Sequence, residues 1–208
     1  MDRAFNYKTF YQFCDEVCKN DADLHRIQQK HGYPPMWSRE NTFESLLHII
    51  LEQQVSLASA LSALNKLKER LGEITAEGVL ALSDEELKDC YFSRQKTRYV
   101  KHLSEMIVEG QLDLPGMKHL SDAEVRQQLC AVKGIGNWTV DVYLMFVLHR
   151  ADVFPVGDLA AVNALKKVKA LVADIGKDEL LLIAEGWKPY RTLATMLLWH
   201  FYLEERKR

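Results

Sequence analysis

No window of this 208-residue chain reaches the ~18 uninterrupted apolar residues that span a bilayer. Met1-Asp2-Arg3-Ala4-Phe5 lacks the charged-then-apolar pattern of a secretory leader. These two absences set the expectation of a cytoplasmic protein without a membrane partner, or a nuclear one in a eukaryote. Charge of one sign is also scarce. The 27 Lys and Arg stand against 29 Asp and Glu, a formal net charge of −2. That speaks against a broad electrostatic grip on nucleic acid and points any such site to a local patch. The four cysteines, Cys14, Cys18, Cys90 and Cys130, show no metal-site spacing. Cys14 and Cys18 share a helical stripe with Phe10 and Val17, and read as small core residues in a reducing compartment. Strand-like alternation of β-branched residues is rare, and there is neither an internal repeat nor a low-complexity run.

What is present is helix. Hydrophobic residues make up 48% of the chain, enough to bury a core, and they recur at spacings of three and four. Phe5, Phe10, Phe13, Cys14 and Val17 predict a first helix. Asn41-Thr42 caps a helix over 43–54, and the next runs over 56–71 and stops at Gly72. Ser83-Asp84-Glu85-Glu86 and Ser121-Asp122-Ala123-Glu124 are capping boxes, each opening a short helix. Further helices are expected over 94–109, 137–149, 158–172, 177–184 and 189–203, with a breaker at Asp113-Leu114-Pro115-Gly116. The expected fold class is all-α, with room for one large domain or two small lobes.

The chemistry-bearing stretch is Val132-Lys133-Gly134-Ile135-Gly136-Asn137-Trp138-Thr139, followed downstream by Phe154-Pro155-Val156-Gly157-Asp158. Glycine in a helix–turn–helix join accepts positive φ and admits close approach. Orphan N–H groups at the start of the following helix attract phosphate oxygen. Such contacts hold a nucleic-acid backbone without reading its sequence. The plainer reading is a tight hairpin that needed small residues. Local basic candidates are Arg94, Lys96, Arg98, Lys101, Lys133, Lys166, Lys167 and Lys169; each also suits a solvated helix face. Gly157-Asp158-Leu159-Ala160-Ala161 reads as an N-cap, compatible with a rigidly held catalytic carboxylate.

The hairpin and the aspartate together resemble the signature of the helix-hairpin-helix DNA glycosylase superfamily, and within it the 3-methyladenine DNA glycosylase II branch. Phe43 through Gln53-Gln54-Val55-Ser56 resembles that branch's helix ending in Gln-Gln-Val/Ile-Ser. Phe92-Ser93-Arg94-Gln95-Lys96 resembles its loop and helix start. Trp187-Lys188-Pro189-Tyr190-Arg191 through Leu198-Trp199 resembles its C-terminal helix. The likeness covers roughly residues 35 to 203. At this length the chain resembles the compact form without an extra N-terminal domain. The resemblance implies a single glycosylase unit over 1–208 with an active-site cleft between two lobes. One lobe spans 42–150 and carries the hairpin (129–149); the other joins 1–41 to 151–208 and carries Asp158.

The resemblance also implies extrusion of a damaged nucleotide from double-stranded DNA and hydrolytic removal of its base, leaving an abasic site, by a protein expected to act as a monomer. Asp158 would be the catalytic carboxylate, stabilising positive charge on the sugar as the base leaves. A base alkylated at N3 or N7 is already cationic and leaves without an acid. The expected substrates are therefore alkylated purines, 3-methyladenine first and 7-methylguanine alongside. Aromatic faces attract such a ring. Trp138 is the leading face, with Trp37, Tyr143, Trp187, Tyr190 and the amide of Gln53 as further lining. Lys133, Gly134, Ile135, Gly136, Asn137, Thr139, Gln54, Ser93, Arg94 and Lys96 would contact DNA, and Ser93 or Arg94 would supply the side chain that fills the vacated stack. The strand-cutting branch carries lysine where this chain has Trp138, so a monofunctional enzyme is expected. That branch also places four C-terminal cysteines on an iron–sulfur cluster; no cysteine follows Cys130, so no such cluster and no required cofactor are expected. By the same resemblance, backbone carbonyls of Cys130, Val132 and Ile135 would hold Na+ or K+. Two other readings stand beside this one: a non-enzymatic helix-hairpin-helix module that binds DNA, and a glycosylase for another base such as uracil, hypoxanthine or ethenoadenine.

Overall fold

In a computed structural model, residues 3–207 are described, and they form twelve α-helices and one 3-10 turn with no strand. The chain divides into two compact units, one of Arg39–Tyr143 and one of Asp2–Ser38 with Leu144–Arg208. Helix α9 (Asn137–Phe146) carries the chain from the first to the second.

The first unit contains α3 (Phe43–Glu52), α4 (Leu57–Leu71), α5 (Ala76–Ala81), α6 (Asp84–Asp89), α7 (Arg94–Val108), the 3-10 turn Pro115–His119, and α8 (Asp122–Cys130). Its starts are set by side-chain caps. Thr42, Ser56, Thr75 and Ser93 each accept an amide of the first turn, and Ser83 and Ser121 form the two capping boxes expected from the sequence. Gly72, at φ 75, ends α4 as expected. The apolar stripe of α3, with Leu46, Leu47, Ile49 and Ile50 wholly buried, faces α4 and α7.

The second unit packs α1 (Phe10–Asn20), α2 (Ala22–His31) and α10 (Leu159–Val168) around α12 (Arg191–Arg206), with α11 (Lys177–Glu185) preceding α12. Every residue of α12 from Thr192 to Leu198 is buried. The residues around it include Phe5, Phe10, Cys14, Leu24, Leu165 and Trp187. The thiols of Cys14 and Cys18 lie within this core, and burial pushes that of Cys18 up to about 12, so both act as small apolar groups.

Several boundaries depart from the sequence expectation. Phe5 lies outside α1; its amide bonds to the carbonyl of His149 at 2.9 Å. α2, capped by Asp21, and α5 are additional to the helices expected from the sequence. Few apolar residues mark either: α2 buries only Leu24 and Ile27. α9 stops at Phe146 rather than 149, where the chain takes φ 52 at His149. α10 stops at Val168 rather than 172, before Ala170 at φ 50.

Candidate active site and nucleic-acid interface

Asp158 is the N-cap of α10. Its Oδ1 accepts from the amide of Ala161 at 2.8 Å and from the indole Nε1 of Trp199 at 2.9 Å. The carboxylate therefore sits at the positive end of a helix, held by one local and one distant donor. Trp199 is itself fixed. Its ring lies 5.2 Å from Phe146, tilted by 33°, and 6.3 Å from Trp37, edge to face. The loop that delivers Asp158 is tied to the start of α12. Arg191 forks onto Asp152 with bonds of 2.8 and 3.0 Å. Thr192 Oγ1 donates to the carbonyl of Arg150 at 2.6 Å and accepts from the amide of Val153 at 3.1 Å. Asp158's own amide donates to the carbonyl of Pro155 at 2.8 Å. Trp199, the distant donor to Asp158, is a residue that motif reading leaves unassigned. Only the likeness of the C-terminal helix pointed toward it.

The hairpin belongs to the first unit. Gly134 lies at φ 87, and a Cβ there would overlap the ring of Tyr99 on α7. Both reasons demand glycine. Gly136 is different: its φ is ordinary and a Cβ would meet nothing within 4 Å. Its missing side chain leaves the surface open outside the turn. Gln53, the C-cap of α3, fastens the turn: its Nε2 donates to the carbonyl of Gly134 at 2.9 Å and to Thr139 Oγ1 at 2.8 Å. Arg126 on α8 donates to Asn137 Oδ1 at 2.9 Å and Asp141 Oδ1 at 2.6 Å, tying the two hairpin helices together. A guanidinium only donates, so the Asn137 amide must turn its oxygen toward Arg126 and its NH2 away.

Along the turn, the amide of Ile135 bonds to the carbonyl of Val132 at 3.0 Å. Among the described residues, those of Gly134, Gly136 and Asn137 meet no acceptor. Three open donors at the start of a helix can receive an anion. The carbonyls of Cys130 and Ile135 accept no backbone amide among the described residues, and that of Val132 accepts one, from Ile135. Hard oxygen donors at the negative end of α8 fit a hard monovalent cation.

Other expected site residues are placed as follows. Trp138, second residue of α9, is half-buried, as is Trp37. Gln54 is exposed at φ 58 and Arg94 is exposed at the start of α7. Lys133 is exposed beside the turn. Several expectations need correction. Tyr143 is wholly buried, with its hydroxyl on Asn41 Oδ1 at 2.5 Å, and Trp187 is 2% exposed, with Nε1 on Asp21 Oδ2 at 2.7 Å. Both are core residues and offer no face to a base. Thr139 is 1% exposed and receives Gln53, and Ile135 is 5% exposed, so both support the hairpin from inside. Ser93 spends its hydroxyl accepting the amide of Lys96, which removes it as a filler of the stack. Lys96 turns its ammonium onto the carbonyl of Leu51 at the end of α3, and burial holds its pKa below the usual lysine value. It closes a helix terminus instead of reaching for phosphate.

The chain and its fold are similar to those of known proteins. The model of the HhH-GPD superfamily of base excision DNA repair proteins matches residues 47–189. The chain is similar to YfjP of Bacillus subtilis (strain 168), which carries a provisional name as a DNA-3-methyladenine glycosylase. The two are 30% identical over 208 residues, covering 96% of this chain and 72% of YfjP. It is also similar to DNA-3-methyladenine glycosylase 1 of Schizosaccharomyces pombe, 30% identical over 186 residues, covering 86% of this chain and 82% of the relative. Among solved structures, the S. pombe 3-methyladenine DNA glycosylase Mag1 in complex with abasic DNA matches with a TM-score of 0.83 at 28% identity, covering 90% of this chain and 95% of that one.

Proposed function

Because the chain belongs to the HhH-GPD superfamily of base excision DNA repair proteins, we propose that it is a monofunctional DNA glycosylase. It extrudes an alkylated purine from duplex DNA, 3-methyladenine first and 7-methylguanine alongside, and hydrolyses the base–sugar bond to leave an abasic site. The observation that carries the reading is the doubly held carboxylate of Asp158, with Trp199 and the α10 amide on one oxygen. A carboxylate fixed before substrate arrives stabilises positive charge on the sugar without reorganising in the transition state. It also orients the attacking water.

The open amides of Gly134, Gly136 and Asn137 hold a phosphate, and Lys133 adds a positive charge beside it. The carbonyls of Cys130, Val132 and Ile135 would hold a monovalent cation, which when bound supplies further positive charge there. Trp138 and Trp37 supply aromatic faces for a cationic base. Tyr143 and Trp187 belong to the cores, and Tyr190 lies 4.7 Å from the Phe13 ring with its hydroxyl accepting from Arg3, so the aromatic contribution narrows to Trp138 and Trp37. Trp138 stands where the strand-cutting branch has its lysine, so no amine attacks the sugar from that position. Gln54 and Arg94 are the exposed candidates for the side chain that fills the stack.

The test is release of 3-methyladenine from methylated duplex DNA by the wild type and by Asp158→Asn. Release by the wild type and a loss of about a hundred- to a thousandfold in the variant are expected, the size of removing a principal electrostatic stabiliser. Equal release by both overturns the assignment of Asp158, and no release by the wild type overturns the substrate.

A further inference from the structure

The hairpin turn is fastened at one point that phosphate binding does not use. The backbone amide of Lys133 donates to Nδ1 of His102 at 3.0 Å. His102 lies on α7, half-buried, on the helix whose Tyr99 ring backs Gly134. An acceptor at Nδ1 requires the neutral ring with its proton on Nε2. The five consecutive amides of the turn then fall into two sets. Those of Lys133 and Ile135 are satisfied within the protein, by His102 and by the carbonyl of Val132. Those of Gly134, Gly136 and Asn137 meet no acceptor among the described residues.

Peptide planes in a turn are coupled. Fixing the amide of Lys133 inward, with Gly134 at φ 87, sets the direction of the amides that follow. We propose that His102 is a positioning residue for DNA binding: its Nδ1 holds the Lys133 amide, and so aims the open donors of the turn at a backbone phosphate. The proposal rests on the reading of the hairpin as the DNA grip. Gln53 holds the opposite side of the turn through the carbonyl of Gly134. The turn is thus clamped from α3 by a donor and from α7 by an acceptor. Donors fixed in advance bind an anion without an ordering cost at the moment of contact.

The experiment compares His102→Phe, which keeps a ring but removes the acceptor, with His102→Asn, whose Oδ1 replaces Nδ1 at similar reach. Affinity for a duplex carrying an abasic-site analogue, kcat and KM for base release, and Tm are measured at one fixed salt concentration. His102→Phe is expected to raise Kd and KM about tenfold and to leave kcat within about twofold, the scale of one lost organising hydrogen bond. His102→Asn is expected to stay within about threefold of the wild type in Kd. A purely structural role would move Tm without separating the two variants. Wild-type affinity in His102→Phe, or an Asn variant as weak as the Phe variant, overturns the proposal. Gly136→Asp is run alongside. If it binds as tightly as the wild type, the hairpin reading itself falls. If it fails to bind while His102→Phe binds normally, only the role of His102 falls.

Discussion

Trp199 and Asp158, 41 residues apart, meet through one hydrogen bond of 2.9 Å from the indole Nε1 to Oδ1. That bond turns a helix cap into an oriented carboxylate. Trp199→Phe keeps the ring against Phe146 and Trp37 and removes only the donor. A hydrogen bond to a charged group contributes about 1.5–3 kcal/mol, so kcat for base release should fall by roughly ten- to a hundredfold. Asp158→Asn should retain the cap, since Asn caps about as well as Asp, and lose activity with a nearly unchanged Tm. A Trp199→Phe enzyme with wild-type kcat would remove Trp199 from the mechanism.

The two hairpin glycines should respond differently to the same substitution. Gly134→Ala places a Cβ on the Tyr99 ring at a left-handed φ, a cost on the order of 1–3 kcal/mol of stability. Gly136→Ala meets nothing within 4 Å and should leave Tm unchanged while weakening duplex binding. Thermal melts alongside binding titrations separate the two. Equal melting temperatures for both variants would contradict the packing against Tyr99.

Lysines near the hairpin should divide by salt dependence. Lys133→Gln removes a charge beside the phosphate and should reduce the slope of log K against log salt by about 0.9. Lys96→Met removes a group bound to the Leu51 carbonyl, so it should lower stability and leave that slope unchanged. A reduced slope for the Lys96 variant would return Lys96 to the DNA interface.

Acid sensitivity should trace to Asp21. Burial works against its ionised form, but hydrogen bonds from Lys169, Trp187 and the Leu24 amide outweigh it and hold its pKa below the ordinary carboxylate value. A group depressed on folding contributes stability above its unfolded pKa and loses that contribution as pH falls through the folded value. Denaturant melts of the wild type should therefore weaken as pH drops below the usual carboxylate range. Asp21→Asn should show a shallower dependence over that window. Parallel curves for the two proteins would assign the acid response elsewhere.

Trapping with borohydride tests the reaction type. The resemblance to the helix-hairpin-helix glycosylases implies Trp138 where the strand-cutting branch has lysine, and a wild-type reaction on lesion-bearing duplex should then yield no covalent protein–DNA adduct. A strong adduct would show an amine attacking the sugar and would exclude the monofunctional reading.

Features governed by neighbours in sequence were legible without the structure. The capping boxes at Ser83 and Ser121, the stop at Gly72 and the cap at Asp158 depend on groups three or four residues apart. Periodicity located most of the longer helices for the same reason. It missed α2, whose few buried residues give a weak stripe, and α5, which is only one and a half turns long.

By itself the sequence determined the hairpin, the aspartate and the family they signal, because backbone conformation and capping are local and φ demands glycine at Gly134. The tertiary structure decided which polar and aromatic side chains remain available. It committed Tyr143, Trp187, Thr139 and Lys96 to internal partners. It also brought Trp199 to Asp158, and Gln53, Tyr99 and His102 to the turn. Those pairings join residues tens of positions apart. Only the packing of whole helices sets them, and no spacing along the chain encodes which hydrogen-bonding group will meet which.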